Sequence, residues 1–423
     1  MISLSDQSRD VIDELNLASE ITDISNTREL RVFMNNLYDR GYLLASYDTH
    51  PVNDSATLVR LETGQAFHWI RLNHGNMTND FSRQVGIHLE QYDDREVSYS
   101  EVSTLFSKIL DYTENTGYPF ATMRLDAINI DIMRKTLTAS LNYIPGPYII
   151  FDSLIVENTR TKTSFLMAYL GFRKGESYNQ EKISMIGQKI SRLKYLELTE
   201  PPKINFKDST YAIIISLQDR SSNNFNGVVG LFPNENESGK MLITGMVYLG
   251  LKNLFNSGKE FEFDWNKPNI QTQELIIDYT HPNLFRSSIG MSLIFDLFKQ
   301  DSTFLNRGGS LEFDFQGINK GSFGIQASLQ ASEILNSSQL ESQDRFADYN
   351  ITYYGLNYEI SDYDDWILPR KGWDLYCHFN IGSKSVESGT NSNNDINSSA
   401  GNLQSTFLFS VGRFFPIKKR STI

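Results

Sequence analysis

The residues of this chain that could do chemistry are few and scattered. Six histidines, His50, His68, His74, His88, His281 and His378, share no metal-ligand spacing, and His281, just before Pro282, reads as a turn or rim residue. The single Cys377 excludes an intrachain disulfide and a cysteine-ligated zinc site, and reads as an apolar side chain rather than a nucleophile. Clustered carboxylates in Ser361-Asp362-Tyr363-Asp364-Asp365 have the right atoms for a divalent cation, although a solvated acidic loop is the simpler reading. Glu260, Glu262, Asp264, Glu312 and Asp314 would interest a glycosidase only if two converged in a cleft. Their alternation with aromatics places them instead along one face of extended strands. No catalytic residue, metal ligand or cofactor-binding residue is therefore expected, and any activity should be physical rather than chemical.

The elements that hold these carboxylates are the strongest signal. Phe261, Phe263 and Trp265 alternate with Glu260, Glu262 and Asp264, and Leu311, Phe313 and Phe315 alternate with Glu312, Asp314 and Gln316. Leu275, Ile277 and Tyr279 keep the same beat, as do Ile289, Met291, Leu293, Phe295 and Leu297. Period two means strands with one apolar and one polar face. A soluble sandwich also alternates, but with more Lys and Thr on its outer face. Segments of roughly 10 residues, apolar towards lipid and polar towards a lumen, are the pattern of a transmembrane β-barrel. The six residues Phe261, Phe263, Trp265, Leu311, Phe313 and Phe315 are the candidate lipid-facing set.

Composition fits. Aromatic residues make up 12% of the chain, and no run of about 18 apolar residues exists to make a spanning helix. The net charge of -12 leaves too little Lys and Arg to neutralise phosphates, so nucleic acid is excluded as a partner. A length of 423 residues suggests about three domains. Met1 to Leu17 is polar and lacks a basic and an apolar region, so it is not a signal peptide.

The first 220 residues follow different rules. Asn26 to Tyr42 reads as a helix with a capping box at Asn26 and Glu29, and an apolar stripe of Leu30, Phe33, Met34, Leu37 and Tyr38. Ser98 to Asn115 repeats the design with Ser98 and Glu101, and Asn179 to Tyr195 is a third helix of the same style, preceded by a shorter one at Thr161 to Leu170. Extended segments follow each: Ala56 to Leu61 and Trp69 to Leu72, Met123 to Ile130 and Thr136 to Tyr143, Phe151 to Val156 and Tyr211 to Leu217. A unit of roughly 75 to 80 residues thus recurs three times, each with helices on a small sheet. From Asn224 helices vanish and about ten strands follow. The first is Gly227 to Pro233, later ones include Ser287 to Phe298, Gly309 to Gln316, Gly372 to Ile381 and Gln404 to Phe414, and Ser383 to Asn402 reads as a long mobile loop.

Joined together, these halves resemble the BamA/TamA family of outer-membrane assembly proteins in its Bacteroidetes form. The resemblance rests most on Tyr148 to Phe232, which looks like a last POTRA repeat running through Ser221 to Gly230 into a first barrel strand. Gly117-Tyr118-Pro119-Phe120-Ala121 looks like the preceding repeat, and Pro369-Arg370-Lys371-Gly372-Trp373 like a strand entry midway round the barrel. The family implies β-α-α-β-β POTRA repeats followed by an antiparallel transmembrane β-barrel of about sixteen strands. That gives repeats at 1–63 (short enough to be truncated), 64–146 and 147–220, and the N-terminal part of the barrel, the surface antigen domain, at 224–423. The family's arginine-glycine-aromatic loop motif and closing strand have no match, so a fragment is expected, without its signal and the last third of the barrel.

The resemblance implies a bacterial outer-membrane location with the repeats in the periplasm. The partners would be unfolded outer-membrane protein clients, outer-membrane lipid and accessory assembly proteins. Clients would be received on repeat edges and inserted at a barrel seam, whose first strand offers Gly227, Val228, Val229, Gly230 and Leu231. Gly227 and Gly230 would weaken pairing there. The alternatives are a translocator of the two-partner-secretion type, which would carry a plug helix ahead of the repeats, and a soluble enzyme or glycan-binding protein with a β-rich domain.

Overall fold

The computed structural model describes residues 2–4, 6–15, 27–53, 56–233, 241–269, 271–300, 304–316, 321–335, 348–364, 369–387, 402–418 and 421–422. They form two compact units, residues 1–150 with 177–180, and residues 151–176 with 181–423. Asn26, Asp365 and residues 388–401 of the expected loop lie outside the described residues.

The first unit contains the same topology twice. β1 (Ile2–Leu4), α1 (Asp6–Glu14), α2 (Thr27–Asp39), β2 (Ser46–Asn53) and β3 (Ala56–Glu62) give a sheet of order β1-β3-β2 with β1 parallel to β3. β4 (His68–Asn73), α3 (Asn79–Val85), α4 (Tyr99–Glu114), β5 (Thr122–Asp131) and β6 (Thr136–Ile144) give order β4-β6-β5, again with the outer first strand parallel to the last. A parallel pair needs a crossover, and the two helices supply it. Their apolar stripes fill the space over the sheet: Phe33, Met34 and Leu37 with Ile12 and Leu61 in one layer, Leu105 and Ile109 with Trp69 and Leu141 in the other. The expected cap on α4 is present, with Ser98 Oγ accepting from the Glu101 N–H at 3.2 Å.

The second unit opens with a third copy: β7 (Ile150–Glu157), α5 (Thr163–Leu170), α6 (Gln180–Ser184), α7 (Ile186–Arg192), β8 (Leu196–Leu198), β9 (Lys203–Lys207) and β10 (Thr210–Asp219). β10 is central, with β7 on one side and β8 and β9 on the other. The single helix read at Asn179 to Tyr195 is two helices that meet at Met185. Ser184 Oγ donates to the Glu181 carbonyl at 2.8 Å, a back-bond of the kind that bends helices. Helices α1 and α3, and strands β1, β2 and β8, were not read from the sequence.

Among the described residues, the rest of the second unit is one sheet of ten strands, β11 (Asn224–Pro233), β12 (Met241–Leu254), β13 (Lys259–Lys267), β14 (Gln273–His281), β15 (Ile289–Gln300), β16 (Phe304–Gln316), β17 (Gly321–Ile334), β18 (Asp348–Tyr363), β19 (Gly372–Glu387) and β20 (Asn402–Phe414), followed by a separate short pair, β21 (Pro416–Lys418) with β22 (Ser421–Thr422). Each strand pairs antiparallel with the next. The fold is thus β-α-α-β-β repeats ahead of an antiparallel barrel sheet. Several strand ends differ from the sequence reading; β16 starts at Phe304 rather than Gly309, and β11 at Asn224 rather than Gly227. β19 runs on to Glu387, because Ser383 to Glu387 pair with Asp348 to Thr352 of β18, so the first five residues of the expected loop are strand. β15 starts at Ile289 rather than Ser287, because Leu284–Arg286 form a 3-10 turn closed by Ser287.

Candidate functional site: an edge strand and a docked rim

Pairing register decides which side chains share a face, since directly opposed residues point the same way. His281, Met291, Phe313, Ile325, Leu356, Phe379 and Phe407 form one continuous row across β14 to β20. Leu251, Phe261, Tyr279, Leu293 and Leu311 form a second, and Ile289, Phe315, Phe323, Tyr358, Cys377 and Phe409 a third. Phe263 lies opposite Leu249 and Ile277, and Trp265 opposite Val247 and Leu275. All six candidate lipid-facing residues, and Cys377, therefore lie on one face.

The other face carries Glu260, Glu262, Asp264, Asp278, Asp296, Glu312, Asp314, Glu359 and Asp374. Their partners are polar: Lys252 ion-pairs Glu260, Asn357 Nδ2 donates to Glu312, and Tyr363 Oη donates to Asp374 at 2.7 Å. Among the described residues, Asp364 belongs to no group of three His, Cys, Asp or Glu suited to a metal ion. Its Oδ1 accepts from the Arg370 and Lys371 N–H groups at 2.8 and 2.9 Å and so shapes the turn into β19. The described residues contain no group of three His, Cys, Asp or Glu suited to a metal ion, and no described helix is long and apolar enough to cross a membrane.

Gly227, Val228, Val229, Gly230 and Leu231 occupy the middle of β11, an edge of this sheet. β11 pairs with β12 without a bulge from Asn224–Gly250 to Pro233–Met241, and among the described residues it has no second neighbour. Val228, Val229 and Leu231 are 65%, 58% and 61% exposed, so both faces of the strand are open. Gly227, Val229 and Leu231 share the apolar face; Val228 and Gly230 share the acidic one. The glycine that matters most is on the partner strand. Gly245 has φ +142°, and a Cβ there would lie 2.0 Å from the Val228 carbonyl oxygen. The two backbones meet too closely for any side chain at that point.

The third repeat is fastened to the turns at one rim of the sheet. Between β12 and β13, Asn253, Phe255 and Asn256 all adopt φ near +56°, and Gly258 has φ +73°. This contorted turn offers its polar groups to the start of α5: Asn253 Nδ2 donates to Thr161 Oγ1 at 2.9 Å, and the Lys162 N–H donates to the Asn256 carbonyl at 2.9 Å. Asn253 Oδ1 in turn accepts from the Gly258 N–H at 2.9 Å. The Phe165 ring fills the space where a Gly258 side chain would stand, 2.1 Å from its ideal Cβ.

Further round the rim, Gln188 Nε2 of α7 donates to the Tyr363 carbonyl at 3.4 Å. Tyr169 donates to the Lys189 carbonyl at 3.0 Å, and burial pushes its phenol up to about 12. Burial pulls the Arg192 guanidinium down, opposed by Tyr169 and by Glu359 on the acidic face. The repeat thus lies over that mouth of the sheet. The sequence reading did not find this dock; its signal is the string Asn253-Leu254-Phe255-Asn256-Ser257-Gly258, which is longer in asparagine than a tight hairpin needs.

No family model matches the chain, and none of the curated proteins does. Solved structures with a similar fold include BamA, its POTRA domains and CdiB. BamA from Haemophilus ducreyi lacking POTRA domains 1–3 is 12% identical, with a TM-score of 0.43 over 75% of this chain and 71% of that one. CdiB from Escherichia coli is 11% identical, with a TM-score of 0.44 over 95% of this chain and 74% of that one. POTRA domains 3–5 of Haemophilus influenzae BamA are 18% identical, with a TM-score of 0.33 over 45% of this chain and 79% of that one.

Proposed function

We propose that this chain acts as an outer-membrane protein assembly factor of the BamA/TamA type. In this reading 1–63, 64–146 and 147–220 are POTRA repeats in the periplasm of a bacterium, and 224–423 is barrel sheet in the outer membrane. The observation that carries it is β11, an edge strand open on both faces, in a sheet whose one face is apolar and other acidic. In lipid an unpaired backbone group costs several kcal/mol, so a client strand cannot enter alone. An edge already at membrane depth gives it the partner it lacks, and the repeats' small sheets offer further edges for strand addition in the periplasm. Phe261, Phe263, Trp265, Leu311, Phe313 and Phe315 would face lipid, and Gly227 to Leu231 would form the seam.

The test is a photo-reactive side chain at each of Val228, Val229, Gly230 and Leu231 during assembly of a nascent outer-membrane barrel. Adducts to the client are expected; their complete absence removes the seam role. The acidic face favours one second reading, a translocator of the two-partner-secretion type that passes its partner along the lumen. Cross-linkers at Glu262 and Asp314 would then capture the passing chain while those on β11 capture nothing.

A further inference from the structure

A cavity of about 290 Å³ lies between the third repeat and the rim turn that joins β14 to β15. Four cations line it, Arg173, Lys182, Lys189 and Arg286, against the single carboxylate of Glu176 among the described residues. Two of the cations have an ordinary structural duty. Lys189 Nζ donates to the Leu170 carbonyl at 3.0 Å and Lys182 Nζ to the Gly171 carbonyl at 3.3 Å, so both cap the negative end of α5. Lys182 also ion-pairs Glu176. Capping does not account for Arg173, in the loop after α5, or for Arg286, at the end of the 3-10 turn before β15.

Arg286 is brought in at a conformational cost. It and Phe285 are consecutive non-glycine residues in the left-handed region, with φ +61° and +52°. The turn is pinned by Asn283 Nδ2 donating to the Ser287 carbonyl at 2.8 Å and by Ser287 Oγ donating to the Leu284 carbonyl at 2.6 Å. Ser287 and Ser288 line the cavity beside Arg286. The same turn leaves the Phe285 ring 94% exposed, and Phe255 at the tip of the neighbouring dock turn is 76% exposed. Bare aromatic rings at the end of an apolar strand face belong at a membrane–water boundary.

We propose that this cavity binds the phosphate of an anionic phospholipid headgroup, with Arg286 and Arg173 as its principal contacts and Phe285 set among the acyl chains. This rests on the reading of 224–423 as a membrane sheet. The charge balance favours a headgroup without a compensating amine. Burial together with Lys182 and Arg192 pulls the Lys189 ammonium down, and an anion in the cavity would favour its charged form.

The full chain, purified in micelles, is titrated with phosphatidylglycerol, with phosphatidylcholine and with inorganic phosphate, and bound species are counted by native mass spectrometry. One phosphatidylglycerol should bind ahead of phosphatidylcholine. Arg286→Gln and Arg173→Gln should each weaken it about tenfold, the scale of one charge-assisted contact. Glu176→Gln should tighten it, which a purely structural role does not predict. Equal binding of the two lipids, no response to these three variants, or full competition by millimolar inorganic phosphate overturns the lipid assignment while leaving the assembly role intact. Failure of the chain to float with lipid vesicles overturns the membrane reading and this site together.

Discussion

The contact most open to a quantitative test is the dock of α5 on the β12–β13 turn, because Gly258 and Phe165 compete for the same space. Replacing Gly258 by Ala has two separable costs. At φ +73° an L side chain costs about 1–2 kcal/mol. Its Cβ would also lie 2.1 Å from a ring that is only 6% exposed, so the ring must move within packed surroundings, at a further cost of about 1–3 kcal/mol. The dock should therefore open more easily by about 2–5 kcal/mol. The local reporter is the Lys162 amide, which donates to the Asn256 carbonyl across the dock at 2.9 Å. Hydrogen exchange of that amide in the full chain should accelerate at least about 30-fold in Gly258→Ala, since each 1.4 kcal/mol is about tenfold. Adding Phe165→Leu removes the overlap but not the φ cost, so the double variant should recover the steric part alone. An acceleration below about threefold, or a double variant whose costs simply add, would refute the geometry argued here.

Four further variants have expected outcomes, three from backbone geometry and one from a set of hydrogen bonds. Gly75→Ala should unfold the second repeat, because its Cβ would lie 1.8 Å from the Leu141 carbonyl oxygen at φ +61°. Gly64→Ala, at φ +70° with its nearest neighbour at 3.6 Å, should cost only the backbone penalty of about 1–2 kcal/mol, and thermal unfolding of the full chain reads the difference. Gly245→Ala should peel β11 from β12 and expose residues 224–233 to protease about tenfold faster, with β13 to β18 unaffected. Asp39 accepts from the Ser98 hydroxyl and from the N–H and hydroxyl of Ser100 at the start of α4. Burial raises its carboxyl, but these hydrogen bonds and Arg40 outweigh it and hold the group below its ordinary value. A depressed carboxyl stabilises the fold above its unfolded pKa of about 4 and loses that contribution as pH falls through the lower folded value. Asp39→Ala should thus cost about 1 kcal/mol at neutral pH, as loss of a helix cap does, and nothing once the native carboxyl is protonated in acid denaturation series.

The barrel sheet was legible because period two fixes the face of every residue once the strand exists. Phe261, Phe263 and Trp265 needed no neighbour to be assigned to one side. Strand ends were less legible where pairing outlasts the apolar pattern. Ser383 to Glu387 carry no alternation, and they are strand because β18 presents partners to them. The helix at 180–192 reads as one by its stripe, while its break falls beside Ser184, whose hydroxyl donates to the Glu181 carbonyl, a contact that propensity does not weigh. The dock was illegible for another reason. Asn253 and Thr161 are 92 residues apart, and nothing local in either segment announces the other. Edge status is likewise a property of the sheet rather than of the strand: Val228 and Val229 look the same in sequence whether or not a second neighbour covers them.

That last property constrains what can happen at the seam. The ten strands alternate in direction from β11 to β20, so the two edge strands run antiparallel to each other. Any antiparallel set that fills the gap between them must then hold an even number of strands, zero included. An odd insertion would force a parallel pair against one edge, and spanning barrels are built of antiparallel ladders. In the assembly role proposed above, a single client strand added to β11 would be a dead end for closure, since it would leave a new edge running the same way as β20. A hairpin would not be, because its second strand restores the direction that β11 presented. In that role the unit added at this edge would therefore be two strands joined by a turn.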